Sequence, residues 1–304
     1  MASRRPSEPA ADQREAWLVE RAPAKVNLTL GVLGRRPDGY HELESLVAFA
    51  GIADVVTLVP GGRFGLEIAG PGATSLAGDG PNLIERAALA ALKRAPDLTT
   101  GTFRLEKHLP VAAGIGGGSA DAAAALRLIR RANPAIADRI DWQALAASIG
   151  ADVPVCMASR ASMMSGLGEQ VFELPALPPL WIVLANPGIA LATASVFASL
   201  GAGPLAAPPL APRSRPACDA GLEGFIAWLR DRPNDLEPAA GRLCADVTSV
   251  RDALAGLDGA RLARMSGSGP TCFALFASAA EADAGAECLA AAHPGWWVRS
   301  APLS

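Results

Sequence analysis

The sequence predicts an α+β fold, in which strands and helices both contribute to the core. One indication is a strand, a glycine-rich loop and a helix in succession over residues 102–132. Another is the order strand, helix, strand over residues 271–299, which fits a ferredoxin-like half. The 304 residues suit either one large domain or two modest ones.

The glycine-rich loop occupies residues 110–121. Four of the five residues at 114–118 are glycine, so backbone N–H groups can approach a ligand closely. The alanine-rich segment at 119–132, with arginines in its last turns, predicts a helix. Free N–H groups at a helix start and the positive end of the helix dipole point the same way. The loop therefore predicts a binding site for an anion, and a polyphosphate fits best.

Two common phosphate loops are excluded. A Walker A loop ends in Gly-Lys-Ser/Thr, and the chain has no lysine after Lys107. A dinucleotide fingerprint, Gly-x-Gly-x-x-Gly, would need a glycine where Ser119 stands. A flexible glycine linker is disfavoured, because Pro110 and a strong helix bound the loop.

The first predicted strand, at 17–33, alternates strictly in its middle. Lys25, Asn27 and Thr29 share one face, and apolar residues share the other. On periodicity alone the polar face is solvated and Lys25 is a routine surface charge.

The remaining pattern alternates strands, turns and helices. Segments 55–59 and 64–68 predict a hairpin around Pro-Gly-Gly at 60–62. Alternation also predicts a half-buried strand at 102–109. Further predicted elements are helices at 82–94, 141–149 and 281–292, a buried strand at 181–185, and an edge strand at 297–299.

Composition excludes several classes of function. Half of the residues are hydrophobic and 19% are charged, which is typical of a soluble globular protein. A net charge of −3 argues against nucleic acid as the main partner. The five cysteines include no Cys-x-x-Cys pair, so neither a zinc site nor a disulfide framework is indicated. Reduced thiols in the cytoplasm are the default interpretation.

Two segments resemble neither a leader nor a membrane span. Residues 1–16 lack the apolar core of a secretory signal and predict a disordered tail. Residues 174–212 are uncharged, but prolines and glycines interrupt them before about 20 apolar residues accumulate. The composition changes near Leu174, and the predicted domains are 17–174 and 175–304.

The loop motif Pro-x-x-x-Gly-Ile-Gly-Gly-Gly-Ser-Ala-Asp-Ala-Ala resembles the phosphate loop of the GHMP kinases, named for galactokinase and the homoserine, mevalonate and phosphomevalonate kinases. Three further segments are similar to family motifs: Pro-Ala-Lys-x-Asn-Leu at 23–28, Gly-Ala-Asp-Val-Pro at 150–154 and Met-Ser-Gly-Ser-Gly-Pro-Thr at 265–271. Asn-Asp-Leu-Glu at 234–237 is similar to a helix-start motif that is taken as architectural. The resemblance implies an N-terminal domain like ribosomal protein S5 domain 2, a ferredoxin-like C-terminal domain, and an active site between them.

The resemblance implies ATP and Mg²⁺ as cofactors. Asn82 begins a helix that borders the adenine pocket in the family, and it is read equally well as a helix cap. Ser119 is the implied ligand of Mg²⁺. The residues implied to bind the nucleotide are Asn82, Lys107, Pro110, Gly114, Ile115, Gly116, Gly117, Gly118 and Ser119.

Asp152 and Lys25 are the implied catalytic residues. A lone aspartate after a helix is usually a cap or a turn residue, here between Gly150 and a segment that Pro154 keeps extended. The family motif instead implies a base that accepts the proton of the substrate hydroxyl. Lys25 then stabilises charge developing on the transferring group, so the resemblance reverses its interpretation as a surface charge.

Asp-Gly-Tyr-His at 38–41 is similar to one branch of the family. That branch phosphorylates the 2-hydroxyl of a cytidine diphosphate-linked methylerythritol in the non-mevalonate isoprenoid pathway. The resemblance implies that Tyr40 stacks on the cytosine, His41 reads it, and Phe197, in the pattern Thr-x-x-x-Phe, covers its other face. The alternative for Tyr40 and His41 is a solvent-exposed turn, and the alternative for Phe197 is a residue of the hydrophobic core. The implied substrate-binding residues are Asn27, Tyr40, His41, Thr193 and Phe197.

Two other functions stay open. A GHMP kinase for another small alcohol, such as homoserine or mevalonate, would leave Tyr40 and His41 without a role. A non-catalytic nucleotide-binding module would leave Lys25 and Asp152 unexplained. The partners expected are ATP and a small molecule, without nucleic acid or membrane, and the resemblance is compatible with a homodimer.

Overall fold

The computed structural model describes residues 17–76, 82–207, 212, 215–216 and 218–304. The tail predicted at 1–16 and part of the loop at 200–216 lie outside the described residues. Eleven strands of the described part form one sheet. They are β1 (Leu18–Asn27), β2 (Gly31–Arg35), β3 (His41–Pro60), β4 (Gly65–Ala69), β5 (Gly101–Glu106), β6 (Ser162–Gly166), β7 (Gln170–Glu173), β8 (Leu180–Asn186), β9 (Leu262–Met265), β10 (Cys272–Phe276) and β11 (Trp297–Leu303).

Helices cover both halves of this sheet. They are α1 (Leu83–Arg94), α2 (Gly117–Ala132), α3 (Trp142–Ile149), α4 (Val153–Ala158), α5 (Thr193–Leu200), α6 (Gly221–Arg230), α7 (Glu237–Leu243), α8 (Ala245–Ala255) and α9 (Ala279–Ala292). Two of the predicted helix starts carry side-chain caps, because Asn82 accepts a hydrogen bond from the Ile84 N–H and Asp141 accepts one from the Ala144 N–H. Within the described residues, no helix is long and apolar enough to cross a membrane.

The 20-residue strand β3 organises the sheet. The main path of the sheet is β4-β5-β3-β11-β8-β10-β9, while β1, β2 and β6 also pair with β3. Side chains of β3 enter two different cores. Val47 and Phe49 pack with α1–α4, whereas Leu46, Ala48 and Ala50 pack with β8, β10 and α6. The central part of β3 is therefore buried on both faces and has no solvated side.

The predicted solvated face of the first strand is wrong. Lys25, Asn27 and Thr29 are all buried, although β1 pairs with β3 alone among the described strands. The glycine-rich loop covers β1 at Lys25, since the Lys25 N–H donates to the Ile115 carbonyl and Gly116 lies against the Lys25 side chain. The predicted strand is also interrupted, since β1 ends at Asn27 and β2 begins at Gly31. Between them the N–H groups of Leu28 and Thr29 both point at the Leu46 carbonyl, which bends the chain out of regular pairing.

One predicted strand pairing is also wrong. The segments predicted as a hairpin do not pair, because β5 lies between β3 and β4, antiparallel to the first and parallel to the second. The edge strand predicted at 297–299 pairs with β8 alone among the described strands, but it is only the first part of the longer strand β11. This longer strand pairs with β8 along its length and contacts β3 through Leu303 and Ala50, so the sheet crosses the predicted domain boundary. Alternation along one strand carries no information on such distant neighbours.

The segment after Gly150 is not extended. Asp152 immediately precedes the short helix α4, and Pro154 lies in its first turn. Proline is tolerated there because the first N–H groups of a helix lack intrahelical partners. The aspartate therefore stands at the start of a helix, rather than in an extended segment.

Candidate active site

The glycine-rich loop borders a cavity of about 630 Å³, here called the loop cavity. Strand β4, the turn at 73–76 and the start of α1 supply further walls. The apolar side chains that line it are Leu66, Ile68, Leu76, Leu83 and Val111. An apolar wall beside a glycine-rich backbone suits a ligand that joins a flat ring to an anionic group.

Helix α2 begins inside the loop, and its first turn is open to a ligand. Its N-cap is Gly116, and no side chain of the described residues caps the helix. The first N–H groups of a helix have no partner within it, so Gly117, Gly118 and Ser119 offer donors to an anion. Gly116 has a left-handed φ of 63°, and a Cβ there would lie 3.1 Å from the Cβ of Lys25. Both facts require glycine at this position.

A second cavity of about 330 Å³, here called the Lys25 cavity, lies on the other side of the loop. Its polar lining comes from both halves of the chain and consists of Lys25, Asn27, Ser45, Ser119, Asp152, Thr193 and Ser268. Gly114, Gly116 and Ser119 line both cavities. The loop thus touches two ligand spaces at once.

An ion pair joins Lys25 and Asp152 in this second cavity. Lys25 Nζ lies 2.8 Å from Asp152 Oδ2, and the side chains are 5% and 36% exposed. The Lys25 N–H donates to the carbonyl of Ile115, 2.9 Å away, which places the lysine directly against the loop. Lys25 is buried, whereas solvent reaches the Asp152 carboxylate, so a substrate could contact that carboxylate while the ion pair stays in place.

The segment at 266–269 closes the site from the C-terminal half. Ser266 Oγ donates to the Gly114 carbonyl at 3.0 Å and accepts from the Asn27 N–H at 3.1 Å. A Cβ on Gly114 would lie 2.6 Å from the Ser266 carbonyl oxygen, so the two loops touch backbone to backbone. Ser268 and Thr193 share a hydrogen bond of 2.7 Å across the far wall of the Lys25 cavity.

Two family models match the chain on either side of this site. The GHMP kinases N terminal domain matches residues 82–160, and GHMP kinases C terminal matches residues 220–295. The chain belongs to the GHMP kinase family. The predicted family and two-domain α+β fold are thereby confirmed, and the protein is a small-molecule kinase.

Two relatives carry the same substrate in their names. The chain is 51% identical over 292 residues to a 4-diphosphocytidyl-2-C-methyl-D-erythritol kinase of Rhodopseudomonas palustris, covering 94% of this chain and 97% of that one. A crystal structure of 4-(cytidine 5'-diphospho)-2C-methyl-D-erythritol kinase matches with a TM-score of 0.72 and 34% identity, over 94% of this chain and 99% of that one. Homoserine kinase from Cytophaga hutchinsonii matches with a TM-score of 0.67 but 17% identity, over 94% of each chain, and shows the fold alone.

The kinase brings most of the predicted residues to the two cavities. Asn82 both caps α1 and lines the loop cavity, so its two interpretations are compatible. Ile115 lines neither cavity, because its side chain is buried in the core and only its carbonyl serves the site, as the acceptor for Lys25. The predicted residues that line a cavity are Lys25, Asn27, Asn82, Lys107, Pro110, Gly114, Gly116, Gly117, Gly118, Ser119, Asp152, Thr193 and Phe197.

The three residues predicted to hold the cytosine have different surroundings. Phe197 stacks on His41, with ring centroids 4.9 Å apart and planes at 25°. Tyr40 is 64% exposed and lines neither cavity. Phe197 therefore faces His41, while Tyr40 is open to solvent, and the stacking of both rings on a cytosine stays a prediction. Partial burial and, to a smaller extent, Arg35 lower the pKa of His41, so that its imidazole is neutral at pH 7 and offers one donor and one acceptor.

Lys107 does not extend freely into the loop cavity. Its Nζ contacts Asp54 at 2.5 Å and Asp121 at 2.6 Å, and all three side chains are buried. Asp54 also accepts hydrogen bonds from the N–H groups of His108 and Leu109. Burial raises the pKa of the Asp121 carboxyl to about 7, with Asp54 adding to the rise and Lys107 opposing it. This triad anchors both the strand that enters the loop and the helix that leaves it.

Sequence reasoning missed four residues of the site. Asp54 stands alone in the apolar run of β3, and that isolated charge is a signal for a buried ion pair. Asp121 is predicted only as part of the loop motif. Ser45 accepts a hydrogen bond from Asn27 Nδ2, and nothing in its local sequence distinguishes it from an ordinary serine. Ser266, which joins the two loops, is predicted only as part of the motif at 265–271.

Proposed function

We propose that this kinase transfers the γ-phosphoryl group of ATP to the 2-hydroxyl of 4-diphosphocytidyl-2-C-methyl-D-erythritol, a step of the non-mevalonate isoprenoid pathway. One observation carries the proposal. The loop cavity and the Lys25 cavity meet at Gly114, Gly116 and Ser119, with the Lys25–Asp152 pair on the second side. The choice of acceptor is supported by the names of relatives at 51% and 34% identity.

ATP fits the loop cavity. Its base would lie against the apolar side chains, and the N–H groups of Gly117, Gly118 and Ser119 would receive its phosphates. Phosphoryl transfer needs chiefly positioning and charge stabilisation, both of which a rigid loop at a helix start supplies. The γ-phosphate then lies where the loop touches the Lys25 cavity.

Asp152 accepts the proton of the acceptor hydroxyl as that oxygen attacks phosphorus. The carboxylate is held at 2.8 Å by Lys25 and is still reached by solvent, as a base must be. Lys25 keeps its positive charge next to the same point and stabilises the negative charge of the transferring group. The two residues thus act as a unit, with the proton acceptor and the positive charge side by side at the point of transfer.

Mg²⁺ fits the site as a partner of the nucleotide. No group of three or more histidine, cysteine, aspartate or glutamate side chains among the described residues is placed to hold a metal ion. The hydroxyl of Ser119, which lines both cavities, fits as one ligand, with phosphate oxygens as the others. When bound, the ion would neutralise charge on the phosphate oxygens.

The Lys25 cavity fits a polar acceptor. Asn27 donates to Ser45 through Nδ2, while its buried Oδ1 has no hydrogen-bond partner among the described residues. That oxygen is closed to solvent, so it can accept from a hydroxyl of the substrate only after the Asn27 side chain turns toward the cavity. Phe197 lies in one wall of this cavity and offers its ring to a pyrimidine base, and His41 stacks on Phe197 without lining the cavity itself.

A panel of acceptors tests the proposal. We expect rapid ADP release, in a coupled assay with ATP and Mg²⁺, for the cytidine diphosphate-linked methylerythritol and background rates for homoserine and mevalonate. Faster turnover of either of the other alcohols would replace the proposed substrate. ATP binding without turnover of any acceptor would favour a nucleotide-binding module.

Phe197→Ala tests the base site. Loss of a stacking ring typically weakens binding of one base by about 1–3 kcal/mol, so KM for the cytidine-bearing substrate should rise about 10-fold or more. KM for ATP should not change, because Phe197 does not line the loop cavity. Phe172→Ala is the matched control, since Phe172 is exposed on β7 and lines neither cavity. Equal effects of the two substitutions would remove Phe197 from the base site.

A further inference from the structure

The motif at 234–237 predicts a helix start, yet its asparagine contacts the active-site loop. We propose that Asn234 is a positioning residue, which holds the segment 265–268 in the conformation that closes the Lys25 cavity. The proposal rests on the proposed function only for the identity of the acceptor used in its kinetic test.

The amide group of Asn234 is fully engaged inside the protein. Its side chain is buried, and Nδ2 donates to the carbonyls of Met265 at 2.9 Å and Gly267 at 2.8 Å. Its Oδ1 accepts from the Leu236 N–H at 2.9 Å. The two carbonyls flank Ser266, so one amide group fixes the backbone on both sides of that serine.

Ser266 connects the backbone held by Asn234 with the active site. Its hydroxyl donates to the Gly114 carbonyl and accepts from the Asn27 N–H. Gly114 belongs to the glycine-rich loop, and Asn27 lines the Lys25 cavity. A shift of the loop around Ser266 would therefore displace a wall of the acceptor space and one side of the glycine-rich loop together.

The segment that carries Asn234 is itself anchored to the N-terminal half. The Leu30 N–H donates to the Pro233 carbonyl, and the Asp235 N–H donates to the Leu30 carbonyl at 2.9 Å. Asp235 Oδ2 accepts from the Val32 N–H at 2.8 Å. Asn234 thus connects the backbone at Leu30 and Val32 with the loop at 265–268. It thereby sets the distance between the N-terminal wall and the C-terminal wall of the Lys25 cavity.

A purely structural role makes a different prediction from a positioning role. If Asn234 only begins α7, the bond from the Leu236 N–H to Oδ1 is all that matters, and aspartate preserves that acceptor. If Asn234 holds the loop, the two Nδ2 donors matter. The N234D substitution would place an oxygen opposite the Met265 and Gly267 carbonyls, so this variant would fail at the second role while keeping the first.

The experiment compares N234A and N234D with S278A. Ser278 caps α9 by accepting from the Glu281 N–H, so S278A removes a comparable cap away from both cavities. We expect kcat/KM for the acceptor to fall about 10-fold or more in both Asn234 variants, because each loses two buried hydrogen bonds. S278A should lower the melting temperature and leave kcat/KM unchanged. N234D with wild-type kcat/KM would overturn the proposal.

Hydrogen exchange provides a readout that does not depend on the acceptor. We expect faster exchange of the amides at 266–271 in both Asn234 variants, measured by mass spectrometry, and no change there in S278A. Wild-type exchange in N234D would overturn the proposal, whatever the substrate is. Absence of turnover by the wild-type protein with the cytidine substrate would instead contradict the proposed function.

A double variant tests the connection through Ser266. If Asn234 acts through Ser266, N234A and S266A remove parts of one chain of contacts, and their effects on kcat/KM are less than additive. Fully additive effects would contradict that route.

Discussion

Asp152→Asn is expected to lower kcat by about 10²–10⁴-fold, the usual contribution of a positioned general base. Asparagine has nearly the same shape as aspartate but cannot accept the proton of the acceptor hydroxyl. ATP should bind with unchanged affinity, because Asp152 lines only the Lys25 cavity. The measurements are steady-state kinetics of ADP release and equilibrium binding of a non-hydrolysable ATP analogue.

The control for this substitution is Asp141→Asn. Asp141 caps α3 by accepting from the Ala144 N–H, and asparagine caps a helix equally well. The substitution makes the same chemical change outside both cavities, and wild-type kinetics are expected. Undiminished kcat in Asp152→Asn would remove Asp152 from the mechanism, whereas loss of ATP binding would indicate a structural role for its carboxylate.

Lys25→Ala is expected to have a comparable effect, with a loss in kcat of about 10²–10³-fold, typical of a preorganised electrostatic group. The substitution removes a buried cation 2.8 Å from Asp152 and leaves that carboxylate without its partner. Lys25→Arg keeps the charge and should lose less. It should not restore full activity, because a planar guanidinium group cannot place its charge where the compact ammonium group now lies, 2.8 Å from Asp152 Oδ2.

Lys93, one of the three lysines of the chain, provides a matched control for the two Lys25 substitutions. Lys93 lies near the end of α1 and lines neither cavity. Lys93→Ala should therefore show wild-type kcat and KM. Equal activity of Lys25→Ala and Lys25→Arg would show that the positive charge is not what the reaction needs.

Local sequence predicted the elements that carry the phosphate site. Glycines at 114–118 followed by an alanine-rich helix indicate free N–H groups at a helix start, and α2 begins inside that loop. Caps were predictable for the same reason, because Asn82 and Asp141 bond N–H groups two or three residues away. These interactions depend on neighbours in the chain, so the local pattern is sufficient.

Pairings between distant strands were not predictable in this way. The turn at 60–62 reverses the chain but leaves space for β5, which comes from residues 101–106 and is inserted between β3 and β4. The C-terminal strand β11 has the alternation of an ordinary half-buried strand, and only the sheet shows that it lies between β3 and β8. Burial of Lys25 was not predictable either, because Ile115, Gly116 and Asp152, which lie against it, come from distant parts of the chain.

By itself, the sequence determined the glycine-rich loop, the helix behind it and, through its motifs, the kinase family. Those features depend on glycine conformation, helix propensity and residue spacing, which are properties of short segments. Only the tertiary structure decided that Lys25 is buried against Asp152, that Lys107 is held by Asp54 and Asp121, and that Asn234 supports the loop around Ser266. Each of these contacts joins residues far apart in the chain, and a buried polar group finds its partners only when the whole sheet has formed.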